Sequence, residues 1–195
     1  MTEQEMVRII EDPHKRELFE NPNYSRILRI MRNQELTAKE LHKRFNKDYE
    51  DKKTLTSIYR YLKKLKKNDL LFVSRQETKR GHLIESYYSR TAQFFIFPEE
   101  WADERVIDAT FELVSQIYTL DEEVKTKVKE ILHELSEKRG QSFIEFYKKY
   151  GDELLEVEEK YGYSVMTKAT HIIHELRYFR GNPELLERFF VLLTG

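Results

Sequence analysis

The chain of 195 residues contains no cysteine, which excludes disulfides and thiolate metal sites. No apolar run approaches the ~18 residues of a membrane-spanning helix, so no membrane partner is expected. The N-terminal stretch MTEQEMVRIIEDPHKREL is acidic and amphipathic. It lacks the basic start and apolar stretch of a secretory leader, and a cytoplasmic protein is expected. There is no glycine loop that could cradle a phosphate, and no serine, histidine and acid are arranged for nucleophilic catalysis. Carboxylates are abundant, but abundance is not a paired acid and base. The expectation is a non-enzymatic protein with no catalytic residues, no cofactor and no metal site.

Net charge is nearly absent too, at −1, but this balance hides an uneven distribution. Residues 1–22 carry three Lys/Arg and six Asp/Glu, a net of −3. Residues 23–91 carry 18 Lys/Arg and eight Asp/Glu, a net of +10. Residues 99–195 carry 13 Lys/Arg and 21 Asp/Glu, a net of −8. A strongly basic block inside an acidic chain indicates one module that faces a polyanion and one that does not. With 39% hydrophobic and 35% charged residues, both modules can be globular and rich in helix.

Hydrophobic spacing gives the order of elements. Residues 3–12 read as a short helix ending near Asp12-Pro13, followed by a helical segment through Lys15–Glu20. Tyr24, Ile27, Leu28, Ile30 and Met31 recur at helical spacing after Asn21-Pro22-Asn23. Thr37-Ala-Lys-Glu40 is a capping box, in which the Thr37 hydroxyl and the Glu40 carboxylate each satisfy an orphan backbone N–H. The short helix that follows carries Ala38, Leu41 and Phe45 on one face. After a polar connection, Asn46–Lys53, residues 54–67 form a strong helix whose buried stripe is Leu55, Ile58, Leu62 and Leu65. Residues 70–76 and 83–90 have strand character on either side of the turn Lys79-Arg80-Gly81-His82.

The opposite face of helix 54–67 carries the functional signal. It presents Lys53, Thr56, Ser57, Arg60, Lys63, Lys64 and Lys67, hydroxyls near its start and cations along its body. An α-helix fits the major groove of B-DNA, where arginine can pair bidentately with guanine and lysine acts as a point charge on phosphate. Tyr61 can touch the DNA backbone, while Tyr59 is as well suited to packing between helices. Lys79 and Arg80 form a basic hairpin tip suited to the minor groove or its phosphates. Arg26, Arg29, Lys39 and Lys43 can add backbone contacts, although surface cations are more often simply solvated.

Residues 37–45, the stretch Thr54-Leu-Thr-Ser-Ile-Tyr-Arg-Tyr-Leu-Lys-Lys-Leu-Lys-Lys67 and the strand Asp69-Leu-Leu-Phe-Val73 together resemble the ArsR-type winged helix-turn-helix regulators. Residues 77–92, with a tyrosine-rich returning strand ending in Arg-Thr-Ala, resemble the wing of archaeal members. The resemblance covers about residues 15–97. It implies a homodimeric regulator that binds double-stranded DNA at a two-fold-related operator. The DNA-reading role of the third helix carries over to Thr54, Thr56, Ser57, Arg60 and Tyr61. Two departures stand out: the chain lacks the cysteines of the family's metal sensors, and the connection 46–53 is longer and more charged than the family's tight turn.

Residues 98–195 read as all-helical: 99–118, 121–138 up to a break at Gly140, 141–161 with a bend near Gly151, 163–180 and 184–193. Acidic helices repel DNA, so this half is expected to serve dimerisation or effector binding, with the homodimer formed through these C-terminal helices. Trp101, Phe111, Phe143, Phe146, Tyr147, Phe189 and Phe190 can line a small-molecule effector pocket, but aromatics at helical spacing are more often core. His171 and His174 share a helix face, yet no third metal ligand is near in sequence. The expected fold class is mainly α, with a winged helix of three helices plus a two-stranded β-hairpin and then a helical region. The expected parts are an N-terminal helical arm (1–22), a DNA-binding domain (23–97) and a helical dimerisation or effector domain (98–195). The alternative is a winged helix used as a protein–protein interaction module, for which the 54–67 face should be more apolar.

Overall fold

The structure, a computed structural model, describes residues 4–79, 83–97 and 103–194. It is mainly helical with a small amount of sheet, and two compact units make up the chain, Met1–Phe97 and Pro98–Gly195.

The first unit begins with a strand, β1 (Glu5–Ile9), where helical spacing predicts a helix over 3–12. Met6, Val7 and Ile9 satisfy a strand as well as a helix, and a distant partner decides between them. β1 pairs in parallel with β5 (Ala92–Ile96), Val7 opposite Phe94 and Ile9 opposite Ile96. Ala92, Phe94 and Ile96 alternate into the interior, the two-residue period of a strand with one buried face. Ile10 and Leu18 join the first unit's core. Of the expected N-terminal arm, residues 1–22, the described part thus contributes β1 to the sheet and Ile10 and Leu18 to the core of this unit.

Helices α1 (Pro13–Glu20) and α2 (Pro22–Ile30) each start on a proline after a capping side chain, Asp12 and Asn21. Proline suits a first turn because its missing N–H would have no helical partner there. β2 (Leu36–Thr37) leads into α3 (Ala38–Phe45), and the capping box forms. The Glu40 N–H donates to Thr37 Oγ1 at 3.2 Å, and the Thr37 N–H donates to the Glu40 carboxylate at 2.8 Å. Next come α4 (Leu55–Lys67), β3 (Leu71–Thr78) and β4 (Ile84–Arg90). β2 pairs with β4, so the expected two-stranded hairpin is part of a three-stranded antiparallel sheet in the order β2-β4-β3. A register shift between Val73 and Arg75 bends the hairpin. The core under these elements is built from Ile27, Met31, Leu41, Phe45, Ile58, Leu62 and Leu65, each almost fully buried.

The second unit holds α5 (Glu104–Tyr118), α6 (Glu122–Tyr161), α7 (Tyr163–Gly181) and α8 (Pro183–Thr194). The expected break at Gly140 does not occur. Gly140 is buried inside α6, and packing offsets the ~1 kcal/mol that a glycine costs a helix. The bend lies at Tyr150, whose φ of −116° and ψ of 21° leave the helical region next to Gly151. Gly162 ends α6 with φ +82°, a conformation that favours glycine, and its N–H donates to the Glu158 carbonyl at 2.7 Å. No described helix is long and apolar enough to cross a membrane.

Candidate nucleic-acid interface

Helix α4 is held at both ends by side-chain contacts that sequence patterning does not reveal. At its start, Thr54 is the N-cap and accepts the Ser57 N–H at 3.1 Å. The long connection before it is clamped by one residue. Asn46 accepts the Lys53 N–H at 2.8 Å and donates to the Lys53 carbonyl at 2.9 Å, and the His42 ring lies 2.9 Å from the same carbonyl. Arg26 donates to the carbonyls of Phe45 and Lys47 at 2.9 and 2.8 Å, and its guanidinium lies over the Tyr49 ring at 4.2 Å. Arg26 therefore closes the end of α3 and is no solvated surface cation. Arg29, Lys39 and Lys43 are exposed.

At the far end, Asp69 adopts φ +59°, and the Leu70 N–H bonds back to the Leu65 carbonyl at 3.0 Å. The Arg8 guanidinium donates to the Asp69 carbonyl at 2.7 Å and to its carboxylate at 2.6 Å, while also meeting Glu5 at 2.7 Å. The Thr91 hydroxyl donates to the same Asp69 carbonyl at 2.8 Å. Strand β1 thereby anchors the exit of the helix. The contact to Glu5, backed by Asp69, raises the Arg8 pKa further above its ordinary value.

Held in this way, α4 exposes Thr56, Arg60, Lys63, Lys64, Lys66 and Lys67, with no carboxylate anywhere between residues 54 and 67. Four of the expected site residues, Tyr61, Lys53, Thr54 and Ser57, are placed differently. Tyr61 is only 9% exposed and packs edge-on against Tyr24 at 5.4 Å between ring centres; it belongs to the stripe of Ile58, Leu62 and Leu65 and does not face outward. Of the two, Tyr59 is the exposed tyrosine, at 48%. Lys53 lies in the clamped connection with its ammonium paired to Asp51. Thr54 and Ser57 use their hydroxyls largely on each other, 3.0 Å apart, and on the cap. Arg60 projects with its guanidinium 5.6 Å from the Tyr61 ring.

The hairpin is less basic than its tip sequence implies. Arg75 meets Glu35 at 2.9 Å and also pairs with Glu77. Lys79 meets Glu77 at 3.0 Å and Glu85 at 3.5 Å, and the Tyr87 hydroxyl donates to Glu77 at 3.1 Å. Hydrogen bonds from Lys79, Arg75 and Tyr87 hold the Glu77 carboxyl down at about 2. Two cations thus share three carboxylates, so Lys79 is already partnered. Arg80 and His82 lie outside the described residues. Leu83 and Ile84, just past the turn, are 71% and 66% exposed. Together with Tyr59, Lys39 and Lys79 they border a groove of about 270 Å³ between α3, α4 and the hairpin.

In the second unit the candidate effector aromatics do not share one pocket. Phe143 and Tyr147 are buried, and Phe143 packs on the rings of His171 and His174 at 4.9 and 4.8 Å. Phe111 lines an open groove of about 1070 Å³ between α5 and α6, Phe190 is exposed, and Trp101 lies outside the described residues. His174 is buried, with Nε2 3.2 Å from the Ser142 hydroxyl and Nδ1 without a hydrogen-bond partner among the described residues. Burial, reinforced by Arg139 and His171, lowers its pKa to about 4. No three described His, Asp or Glu residues are grouped so as to hold a metal ion. Comparison of the chain with protein-family models and with curated proteins finds no match.

Proposed function

We propose that this protein is a non-enzymatic, cytoplasmic transcriptional regulator that binds double-stranded DNA sequence-specifically, as a homodimer assembled through its C-terminal helices. On this reading residues 23–97 are a winged helix of the ArsR type. Helix α4 reads the major groove, and the β3–β4 hairpin, residues 77–83, serves as the wing on the minor groove or its phosphates. The observation that carries the reading is the outer face of α4. It has five cations and no carboxylate in thirteen residues, on a helix braced by Asn46 and Arg26 at its entry and by Arg8 at its exit. A protein would have little reason to concentrate uncompensated cations there unless a polyanion neutralised them.

Within that face Arg60 is the base-reading candidate, with Thr56 beside it, while Lys63, Lys64 and Lys67 are suited to phosphates. Lys79 plays a lesser part, because a phosphate must compete with Glu77 for its ammonium. Small-molecule control is open to the groove between α5 and α6. Selection of bound fragments from genomic DNA, followed by footprinting, tests the reading. A two-fold-symmetric protected site is expected. Failure to enrich any sequence over input, at salt low enough for phosphate binding, overturns it.

One observation favours a second reading, a winged helix that binds protein. Tyr59, Leu83 and Ile84 form an exposed apolar patch beside α4, the composition of an interface core. Substituting Leu83→Ser with Ile84→Ser separates the two readings. DNA affinity survives within a few-fold on the first, whereas on the second the patch is essential and DNA affinity is absent from the start.

A further inference from the structure

Helix α7 is apolar on two opposite sides. Met166, Thr170, His174 and Tyr178 face inward and are buried. Val165, Ala169, Ile172, Leu176 and Phe179 lie on the other side, and all five are exposed, with Ile172 at 64% and Leu176 at 63%. Their spacing is four, three, four, three, the heptad repeat of a helix that packs along a second helix. A helix that is apolar all round is ordinarily buried all round, and this side is exposed among the described residues of the second unit. Helix α5 repeats the pattern. Val106, Thr110, Leu113 and Ile117 follow at four, three, four, with Val106, Leu113 and Ile117 57%, 59% and 70% exposed, while Ile107 faces inward.

Charge does not choose the partner of either seam, because Asp108 and Glu104 of α5 turn away from it toward Lys129 and His133 of α6. Symmetry does: a single two-fold axis covers both seams of both copies when α5 of each copy lies against α7 of the other. The lengths also suit: the α5 seam spans roughly 16 Å and the α7 seam roughly 21 Å at 1.5 Å per residue.

We infer that α5 of one copy packs along α7 of a second copy, twice, about a two-fold axis. This specifies the interface of the homodimer proposed above and rests on that part of the reading. The occupant is a second copy because this chain supplies two exposed apolar seams of similar length that can cover each other. Two such contacts engage eight apolar side chains per copy, an area on the order of the ~800 Å² per partner of a stable interface. Exposed apolar patches of that size are unusual on a monomer.

The absence of cysteine makes cross-linking clean. Full-length Leu113→Cys and Ile172→Cys chains are co-expressed with different tags and mildly oxidised. The expected result is a covalent dimer joining one tag to the other, and none from either variant alone. In sedimentation equilibrium the wild type is expected to be a dimer. The double variant Ile172→Glu, Leu176→Glu is expected to dissociate at least ~100-fold more readily, with an unchanged circular dichroism spectrum because both residues are exposed. A dimeric wild type that yields no mixed cross-link, and whose Glu variant stays dimeric, overturns the seam and leaves the dimer standing. Cross-linking of Ile172→Cys to itself overturns the α5–α7 pairing in favour of α7 with α7. A monomeric wild type overturns both the seam and the dimer, but leaves DNA binding to its own test.

Discussion

Helices α4 and α7 each bury one face and expose the other, and the exposed faces are made of opposite materials. The outer side of α4 carries Arg60, Lys63, Lys64 and Lys67. The outer side of α7 carries Val165, Ile172, Leu176 and Phe179. A cationic face stays in water at little cost until a polyanion releases its counterions. An apolar face in water is unfavourable by roughly 25 cal/mol per Å² and calls for a permanent cover. The contrast separates a surface suited to a reversible partner from one suited to a constitutive partner, and the two should be separable by mutation.

The largest effect expected is on α4. Replacing Arg60 and Lys64 together by Glu should weaken DNA binding by more than ~100-fold and leave the sedimentation behaviour unchanged. Loss of dimerisation in that variant would break the separation. Its converse, charge placed on the α7 seam, should give a monomer that still contacts a single half-site. Anisotropy with a half-site duplex checks this.

The next effect concerns the buried side of α7. The folded pKa of His174 is lowered to about 4, against ~6.5 for an unfolded histidine. Its folded pKa lies below its unfolded one, so the unfolded chain binds the extra proton between these values. The stability it contributes is complete above pH ~6.5 and is lost as the pH falls toward 4, roughly 3 kcal/mol across the window. Denaturant titrations should show that slope in the wild type and a flatter one in His174→Gln. An unchanged slope would show that His174 is accessible to protons in the folded state.

Smaller again is the brace on α4. Arg8→Ala removes the contacts to Asp69 and Glu5 and should cost roughly 1 kcal/mol, reduced because both carboxylates are substantially exposed. Thermal melting measures it, and DNA affinity should fall only a few-fold. The smallest effect is at the hairpin. Glu77→Gln leaves Lys79 with Glu85 alone and should strengthen DNA binding about two-fold at low salt. No change would mean that the hairpin does not meet phosphate.

Local chemistry made much of the first unit readable from sequence. The Thr37–Glu40 capping box, the α4 stripe and the hairpin strands are encoded within a few residues and appear where expected. What failed depends on distant partners. Residues 5–9 are a strand because Ala92–Ile96 lies beside them, and no local pattern contains that information. By spacing alone Tyr61, two positions from Tyr59, fits either face of α4; the packing of Tyr24 selects it for the interior. The Lys79 cation was legible, but its neutralisation by Glu77 and Glu85 was not, since it requires the hairpin register. In the second unit, the helical spacing of Val165–Leu176 was plain, but spacing alone does not sort Met166 inward and Ile172 outward.

The most direct test of the central claim is the salt dependence of binding to a duplex recovered by selection. Fluorescence anisotropy would be measured between ~50 and ~200 mM salt for the wild type and for Arg60→Ala. If α4 reads DNA, wild-type affinity should fall by at least ~10³ over that range. Arg60→Ala should then lose its preference for the selected duplex over a scrambled one while retaining most of its salt slope. A wild-type protein whose binding is flat in salt, or an Arg60→Ala variant that keeps full sequence preference, would contradict the account.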